Sequence, residues 1–165
     1  MRAHPLLPAI LLVLTLGASA CGGGDVDIAR TLQVTDVTSG WFDAGIVEGG
    51  KNKLVPSISF RLKNTHQSKI TSVQMFAKFL RVGETDEWGT PPYVRAIGPD
   101  GLAAGAATEP LVLRSNLGYT GEQPRAQMLR NRNFLDARVE LFAKYRANNW
   151  VKLGEYRIDR QLLTQ

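Results

Sequence analysis

Apolar and polar residues alternate in several stretches of the chain, which is the pattern of β-strands with one buried face. In the clearest stretch, residues 54–63, serine and basic residues separate the apolar positions Leu54, Ile58, Phe60 and Leu62. Because successive side chains of a strand point to opposite sides, a period of two places these four residues on a common face. The stretch therefore predicts a half-buried strand with Phe60 in the core.

Two later stretches predict further long strands by the same alternation. The apolar face of segment 70–82 is formed by Val73, Met75, Ala77 and Phe79. The other face of this segment carries the polar residues Ser72, Gln74 and Lys78, but also Phe76 and Leu80. The apolar face of segment 135–144 is formed by Leu135, Ala137, Val139, Leu141 and Ala143. Both segments are therefore expected to contribute one face to the core.

The last strand is predicted to pair with segment 135–144 as a hairpin. Residues 147–149, Ala-Asn-Asn, supply the turn that leads into segment 150–158. In that segment the apolar residues occupy odd positions up to Leu153 and even positions from Tyr156 onward. One extra residue at Gly154 would return both sets to the same face, so we predict a β-bulge there.

The remaining strands are shorter or less regular. Segments 31–37 and 41–47 predict a first strand and its continuation, bent near Ser39. Segments 91–97 and 109–114 predict weaker strands, since their alternation is brief.

Helical signals are weak, and segment 123–133, with Pro124 near its start, is the one candidate for a short helix. Seven or eight short strands separated by loops rich in glycine and proline predict an all-β fold, an antiparallel sandwich of two sheets. This organisation resembles the immunoglobulin-like domains that are common in exported bacterial proteins. The disulfide of antibody domains is absent, because the chain has a single cysteine.

The first twenty residues have the organisation of an export signal. Arg2 precedes an apolar run of 11 residues, Leu6–Leu16, and small residues follow it. As a helix this run would extend about 16 Å, which is too short for a hydrocarbon core of roughly 30 Å. A basic residue, a short apolar region and then small residues are typical of an export signal peptide.

The end of this region, Leu-Gly-Ala-Ser-Ala-Cys at residues 16–21, resembles the lipobox of bacterial lipoproteins. The resemblance implies that the residues before Cys21 are removed and that Cys21 becomes the acylated first residue of the mature protein. An unlipidated secreted protein, cleaved after Ala20, is the alternative.

The lipobox resemblance divides the chain into three parts and implies a location. Residues 1–20 are the signal peptide, residues 21–29 hold the acylated cysteine and a flexible tether with three glycines, and residues 30–165 form the sandwich. Glycine rather than aspartate after the cysteine implies, by analogy with enterobacterial sorting, the outer membrane, facing the periplasm. Segments 53–57 and 156–158 also resemble a family of uncharacterised bacterial envelope lipoproteins.

Composition limits the chemistry of the predicted domain. The chain has 165 residues, 44% hydrophobic and 21% charged, which suits one folded domain. It has one cysteine and two histidines, too few for a disulfide framework or a zinc site built from these ligands. His66 is the only histidine after residue 20. We expect no catalytic residue, no metal and no cofactor, and therefore a protein that is not an enzyme.

Charge and export limit the partners. The formal net charge is +5, a mild basic excess that suits either an ordinary solvated surface or weak attraction to anionic headgroups. Because the chain carries an export signal, we expect no nucleic acid partner.

Aromatic residues in predicted loops, together with two apolar residues on the polar face of segment 70–82, form the candidate contact surface. These residues are Trp41, Phe76, Leu80, Trp88, Tyr93 and Tyr119. Aromatic rings provide a large contact area with little loss of rotamer freedom. The alternative is that each loop ring folds back and plugs an open end of the sandwich.

Two hypotheses of function follow. The first is a lipid-anchored, non-enzymatic cell-envelope protein, held on the membrane through acylated Cys21, whose sandwich contacts another envelope protein. The second is a binding module for a glycan or lipid ligand that uses Trp88, Tyr93 and Tyr119. A flat apolar patch favours the first hypothesis, and exposed rings along a groove favour the second.

Overall fold

The computed structural model describes residues 26–163, which form two β-sheets around a shared core. Sheet A consists of β1 (Leu32–Val47), β2 (Lys51–Asn64), β6 (Leu111–Arg114), β7 (Tyr119–Gly121) and β10 (Leu162–Leu163). Sheet B consists of β3 (Val73–Arg81), β4 (Glu87–Gly89), β5 (Val94–Ile97), β8 (Ala137–Tyr145) and β9 (Val151–Arg157). The predicted signal peptide, Cys21 and the three glycines lie outside the described residues.

The strand order of the two sheets matches an immunoglobulin-like sandwich. Sheet A has the order β10-β1-β2-β6, with β7 also beside β2, and sheet B has the order β4-β3-β8-β9, with β5 also beside β3. Within these orders, β1-β2-β6 corresponds to strands A-B-E and β4-β3-β8-β9 to strands C′-C-F-G of that fold. The paired strands are antiparallel except for β1 with β10. The prediction of an all-β antiparallel sandwich is confirmed.

Residues 26–163 contain ten strands, compared with the seven or eight predicted. Seven of them have four or more residues, and the others, β4, β7 and β10, have two or three. A period of two cannot be recognised over so few residues, which is why the alternation does not reveal these short strands.

Two short helices accompany the strands. The helix α1 (Ile28–Thr31) precedes β1, and α2 (Arg125–Arg130) lies within the segment predicted to be helical. A turn of 3-10 helix at Glu48–Gly50 joins β1 to β2, and its Gly49 has a φ of 79°, a conformation that suits glycine. Within the described part of the chain, no helix combines the length and the apolar character needed to cross a membrane.

The core lies between the sheets and contains the residues that the alternation assigns to it. Phe60 on β2, Phe79 on β3, and Val139 on β8 are fully buried. The alternation also assigns Leu135 to this face, but Leu135 is 46% exposed. Its side chain escapes burial because β8 begins only at Ala137, so Leu135 precedes the regular strand.

The predicted bulge at Gly154 is present in β9. Leu141 pairs with Gly154, whereas its neighbour Phe142 pairs with Lys152. Leu153 is therefore the extra residue. The bulge lets apolar residues on both sides of it pack against the core, as the change of phase in the sequence indicates.

The first strand is continuous where the sequence predicts a bend. β1 passes through Ser39 without interruption, and its register against β2 shifts instead at residues 36–37 and 44–45. Asp36 in the first of these bulges has a φ of 51°, which aspartate tolerates better than most residues. In place of the expected bend near Ser39, two bulges flank a central part that pairs regularly with β2.

The C-terminal segment crosses from sheet B to sheet A and is fastened to Ser39, which is buried. The Ser39 hydroxyl donates to the carbonyl of Arg157 at 3.0 Å and accepts from the amide of Asp159 at 3.1 Å. One side chain on β1 therefore bonds to the backbone on both sides of the crossing.

Beyond the crossing, Gln161 and Leu163 lie against β1. The Gln161 side chain donates to the Ser39 carbonyl at 2.7 Å, and the Gln161 carbonyl accepts from the Trp41 amide at 2.8 Å. A Cβ atom on Gly40 would lie 2.8 Å from the Leu163 side chain, closer than such contacts allow. This close approach requires glycine at position 40 and keeps β1 extended there.

Asp136, just before β8, also holds the crossing. Its carboxylate accepts hydrogen bonds from Arg157 and Arg160, and Arg160 also donates to the carbonyl of Phe134 at 2.7 Å. The Asp136 side chain is only 18% exposed. The bonded Arg160 guanidinium, with Arg157 beside it, outweighs burial and holds the pKa of Asp136 below its ordinary value.

Replacing Phe60 with alanine tests the core assignment. We expect the free energy of unfolding to fall by about 3–5 kcal/mol, because the lost ring leaves a cavity between the sheets. Val112→Ala on β6, where the side chain is 48% exposed, is the control and should change stability by less than about 0.5 kcal/mol. Urea denaturation measures both, and similar small effects would show that Phe60 is not in the core.

Acid should weaken the attachment made by Asp136. A carboxyl group whose pKa is lowered by folding stabilises the fold above its unfolded pKa of about 4, and this contribution is lost as pH falls through the folded pKa. We expect Asp136→Asn to lower the free energy of unfolding by about 1.5 kcal/mol near pH 7. Urea titrations at decreasing pH should show this difference closing below about pH 4, and a difference independent of pH would contradict the assignment.

Candidate functional site

Eight aromatic residues of the described chain form two clusters, one inside the sandwich and one on the outer face of sheet B. The inner aromatic cluster consists of Trp41, Trp88, Tyr119 and Phe134. The Trp41 ring lies 4.5 Å from Phe134, 5.6 Å from Tyr119 and 6.0 Å from Trp88, measured between ring centroids. Trp41 is fully buried and Trp88 nearly so. The inner cluster therefore belongs to the core.

The prediction of a contact surface is wrong for three of its residues, because the structure buries them. Trp41, Trp88 and Leu80 are buried, so they cannot contact a partner unless the fold opens. Leu80 lies where β4 pairs with β3, and Trp88 is brought inward by β4 itself. The alternative interpretation, in which rings fold back and plug an end of the sandwich, is correct for both tryptophans.

Tyr119 is half-buried and also has a structural role. Its hydroxyl donates to the carbonyl of Leu135 at 3.2 Å and accepts from the amide of the same residue at 3.1 Å. Burial raises the pKa of the Tyr119 phenol. Because its ring lies 4.4 Å from Phe134 and its hydroxyl is engaged, Tyr119 helps to close the sandwich.

The outer aromatic patch consists of Phe76, Tyr93, Phe142 and Trp150. Phe76 on β3 and Phe142 on β8 are directly opposite each other, and their rings are stacked 4.9 Å apart. Trp150 meets Phe76 edge-on at 4.8 Å, and Tyr93 lies 5.3 Å from Trp150. Tyr93 is 66% exposed, and the other three rings are half-buried. The four rings thus form a continuous apolar surface on a face that is otherwise polar.

Two members of the patch, Phe76 and Tyr93, belong to the predicted contact surface, and the structure brings them together at 5.6 Å. The other members of the patch could not be predicted from the sequence, because their positions depend on pairing between segments that are distant in the chain. Trp150 reaches the patch because the β8–β9 hairpin brings it back next to Val151, which pairs with Ala143, and Tyr93 reaches it because β5 pairs with the start of β3. Alternation within one strand identifies an outward Phe76 but not these neighbours.

Charged side chains border the patch. Lys152 pairs with Glu140 at 2.9 Å and with Glu155 at 2.8 Å, and Arg138 pairs with the same two carboxylates at 3.0 and 3.1 Å. The Lys152 ammonium holds the pKa values of Glu140 and Glu155 below their ordinary range, and the two carboxylates raise the pKa of Lys152. Because these four charges balance, this side of the patch is close to neutral.

The opposite side of the patch is basic. The Lys144 ammonium lies 5.1 Å from the centre of the Trp150 ring, a cation–π contact. Among the described residues, Lys144 makes no ion pair within 4.0 Å. The patch therefore combines exposed rings with unpaired positive charge.

Residues suited to acid–base or metal chemistry are dispersed. In the part of the chain that the structure describes, no group of three or more His, Cys, Asp or Glu side chains is placed to hold a metal ion. The His66 ring lies in the turn after β2, where its Nδ1 is 2.7 Å from the Ser68 hydroxyl and accepts from the Ser68 amide at 3.2 Å. These bonds stabilise the turn locally.

No protein-family model matches this chain, and no curated protein matches its sequence. Its function is therefore inferred from its own residues. The outer aromatic patch is the strongest candidate site in residues 26–163, because its rings are accessible while those of the inner cluster are committed to the core.

Proposed function

We propose that this chain is a lipid-anchored, non-enzymatic protein of the bacterial cell envelope that uses the outer aromatic patch to contact another envelope protein. The exposed cluster of four rings on sheet B is the observation that carries the proposal. The sandwich serves as a rigid support for this surface, and Cys21 attaches the support to the membrane.

The sequence supports the anchor. Cys21 is the only cysteine of the chain, and it ends the small-residue segment that follows an apolar run. Acyl chains bind a bilayer with about 0.8 kcal/mol for each buried methylene, and several chains together give stable attachment. The glycine after Cys21 supports an outer-membrane location on the periplasmic side.

The composition of the outer aromatic patch supports a protein partner. Tyrosine, tryptophan and phenylalanine are enriched in protein interfaces, and a few such residues supply most of the binding energy. The patch lies on strands of a sheet, so its rings are held in place by backbone pairing and by one another. A partner would therefore meet a preorganised surface and lose little entropy in ordering it.

The second hypothesis, a glycan or lipid ligand bound by Trp88, Tyr93 and Tyr119, is less well supported. Trp88 and Tyr119 are 4.9 Å apart in the inner cluster, whereas Tyr93 lies on the outer face of sheet B. The three rings do not line a common groove. In the outer patch, the rings of Phe76 and Phe142 are stacked on each other, which occupies faces that a sugar would need.

The anchor is tested by Cys21→Ala. We expect this variant to leave the membrane fraction and to lose incorporation of labelled palmitate, because it removes the sulfur that carries the lipid. Ser19→Ala, which keeps a small residue two positions before the cysteine, is the control and should behave as the parent protein. Membrane retention of Cys21→Ala without label would mean that another feature holds the chain on the membrane.

The partner surface is tested by placing a photo-crosslinking amino acid at position 93 in living cells. We expect one reproducible protein adduct from this position, because Tyr93 is the most exposed ring of the patch. The matched control places the same amino acid at position 112, which is exposed on sheet A. The same adducts from both positions, or none from position 93, would contradict the proposed surface.

A further inference from the structure

One end of the sandwich, which we call the anchor end, receives the chain from the proposed lipid anchor. It carries α1, the starts of β1 and β3, and the turn between β8 and β9. The amide of Thr65 donates to the carbonyl of Thr31 at 2.8 Å, which joins the end of β2 to α1. Val26 and Ile28 border a cavity shared with Tyr145 and Val151, so the first described residues lie at this end.

A cleft of about 240 Å³ opens where the anchor end meets the outer face of sheet B. We call it the arginine cleft; its lining residues are Ser72, Gln74, Arg95, Gly98, Pro99 and Arg146. Backbone bonds hold its walls together. The Ser72 amide donates to the carbonyl of Gly98 at 3.1 Å, and the Arg146 amide donates to the carbonyl of Ser72 at 2.9 Å.

The charge of the arginine cleft is positive and unbalanced. Arg95 and Arg146 are both exposed, and no carboxylate lines the cleft. Among residues 26–163 neither arginine has an ion-pair partner within 4.0 Å. Within the described part of the chain, the Arg146 side chain donates a long 3.4 Å bond to the Thr71 hydroxyl and contacts the Tyr145 ring.

Two guanidinium groups facing a common cleft are suited to an oxyanion. Arginine presents planar donors that match the oxygens of phosphate, and it is more weakly hydrated than lysine. Ser72 and Gln74 add side chains that can donate to the same kind of group. The lining therefore favours a phosphate-bearing ligand over an apolar one.

The length of the tether identifies the source of the phosphate. Four residues lie between Cys21 and Val26, so the five Cα-to-Cα steps that join them span at most about 17 Å. Once Cys21 is acylated, the anchor end is confined close to the headgroups, and binding a headgroup becomes an intramolecular step at high effective concentration. This step rests on the lipid anchor of the proposed function.

We infer that the arginine cleft binds the phosphate groups of anionic lipid headgroups and thereby docks the anchor end of the sandwich on the bilayer surface. Attraction between a few basic residues and an anionic surface is weak alone and screened by salt. Combined with an acyl anchor it fixes the orientation of the domain.

The test uses the acylated protein reconstituted into vesicles of phosphatidylcholine, alone or mixed equally with phosphatidylglycerol. Lipids brominated near the headgroup quench tryptophan fluorescence at short range. Trp150 reports docking because it is close to the anchor end, whereas Trp41 and Trp88 are buried in the inner cluster. Trp150→Phe identifies the part of the signal that belongs to Trp150.

We expect strong quenching only in the phosphatidylglycerol vesicles, and we expect added salt to reverse it. The double variant Arg95→Gln, Arg146→Gln should lower the ratio of docked to undocked protein by about thirtyfold. Arg95→Lys, Arg146→Lys should retain part of the docking, since it keeps the charge. The matched control, Arg130→Gln with Arg132→Gln, changes the charge equally away from the cleft and should dock as the parent protein does.

Three results would overturn the inference. The first is equal quenching in neutral and anionic vesicles, and the second is an equal loss of docking in the cleft and control variants. The third is binding of inorganic phosphate in the arginine cleft together with quenching that does not depend on the charge of the vesicles. Flotation separates this failure from failure of the anchor. Protein that floats with neutral vesicles but does not dock retains its anchor and lacks only the headgroup site. Protein that does not float with neutral vesicles has no working anchor.

Discussion

The packing of Trp41 between the two sheets is the interaction on which the rest of the structure depends. Its strand, β1, lies between β10 and β2 in sheet A, and rings from sheet B, from β7 and from the segment before β8 surround it. Aromatic rings of this size contribute large buried areas and specific edge contacts. By gathering loop rings from distant parts of the chain, Trp41 closes one end of the sandwich and sets the positions of β4 and β7.

The burial of the inner cluster leaves the outer aromatic patch as the candidate contact surface. Rings that complete a core need no partner, whereas Phe76, Tyr93, Phe142 and Trp150 lie on a strand face that solvent reaches. The patch extends from Trp150, beside the β8–β9 turn at the anchor end, to Phe76, which is three residues, or about 10 Å, into β3. A domain docked through the arginine cleft, as we propose, would hold the patch close to the headgroups, where it could contact proteins of the same leaflet.

Much of the fold could be predicted from the sequence. The features that could not be predicted were missed for one common physical reason. Alternation identified β2, β3 and the β8–β9 hairpin, and the change of phase at Gly154 identified a bulge, because each signal lies within one segment. Trp41 and Leu80 were misplaced because burial depends on what packs from elsewhere in the chain. The Trp150 member of the patch and the Arg95–Arg146 cleft were missed for the same reason, since each is assembled by strand pairing.

The parallel pairing of β10 with β1 has a mechanical consequence. A pull transmitted through the tether would act along β1, whose hydrogen bonds to β2 and β10 run across the direction of the force. Bonds loaded in this way share the strain and must rupture together, instead of opening in turn like a zipper. Strand β1, which is nearest the proposed lipid anchor, would thus carry the force through the domain, and the bonds of Ser39 at the crossing would help to hold it in place.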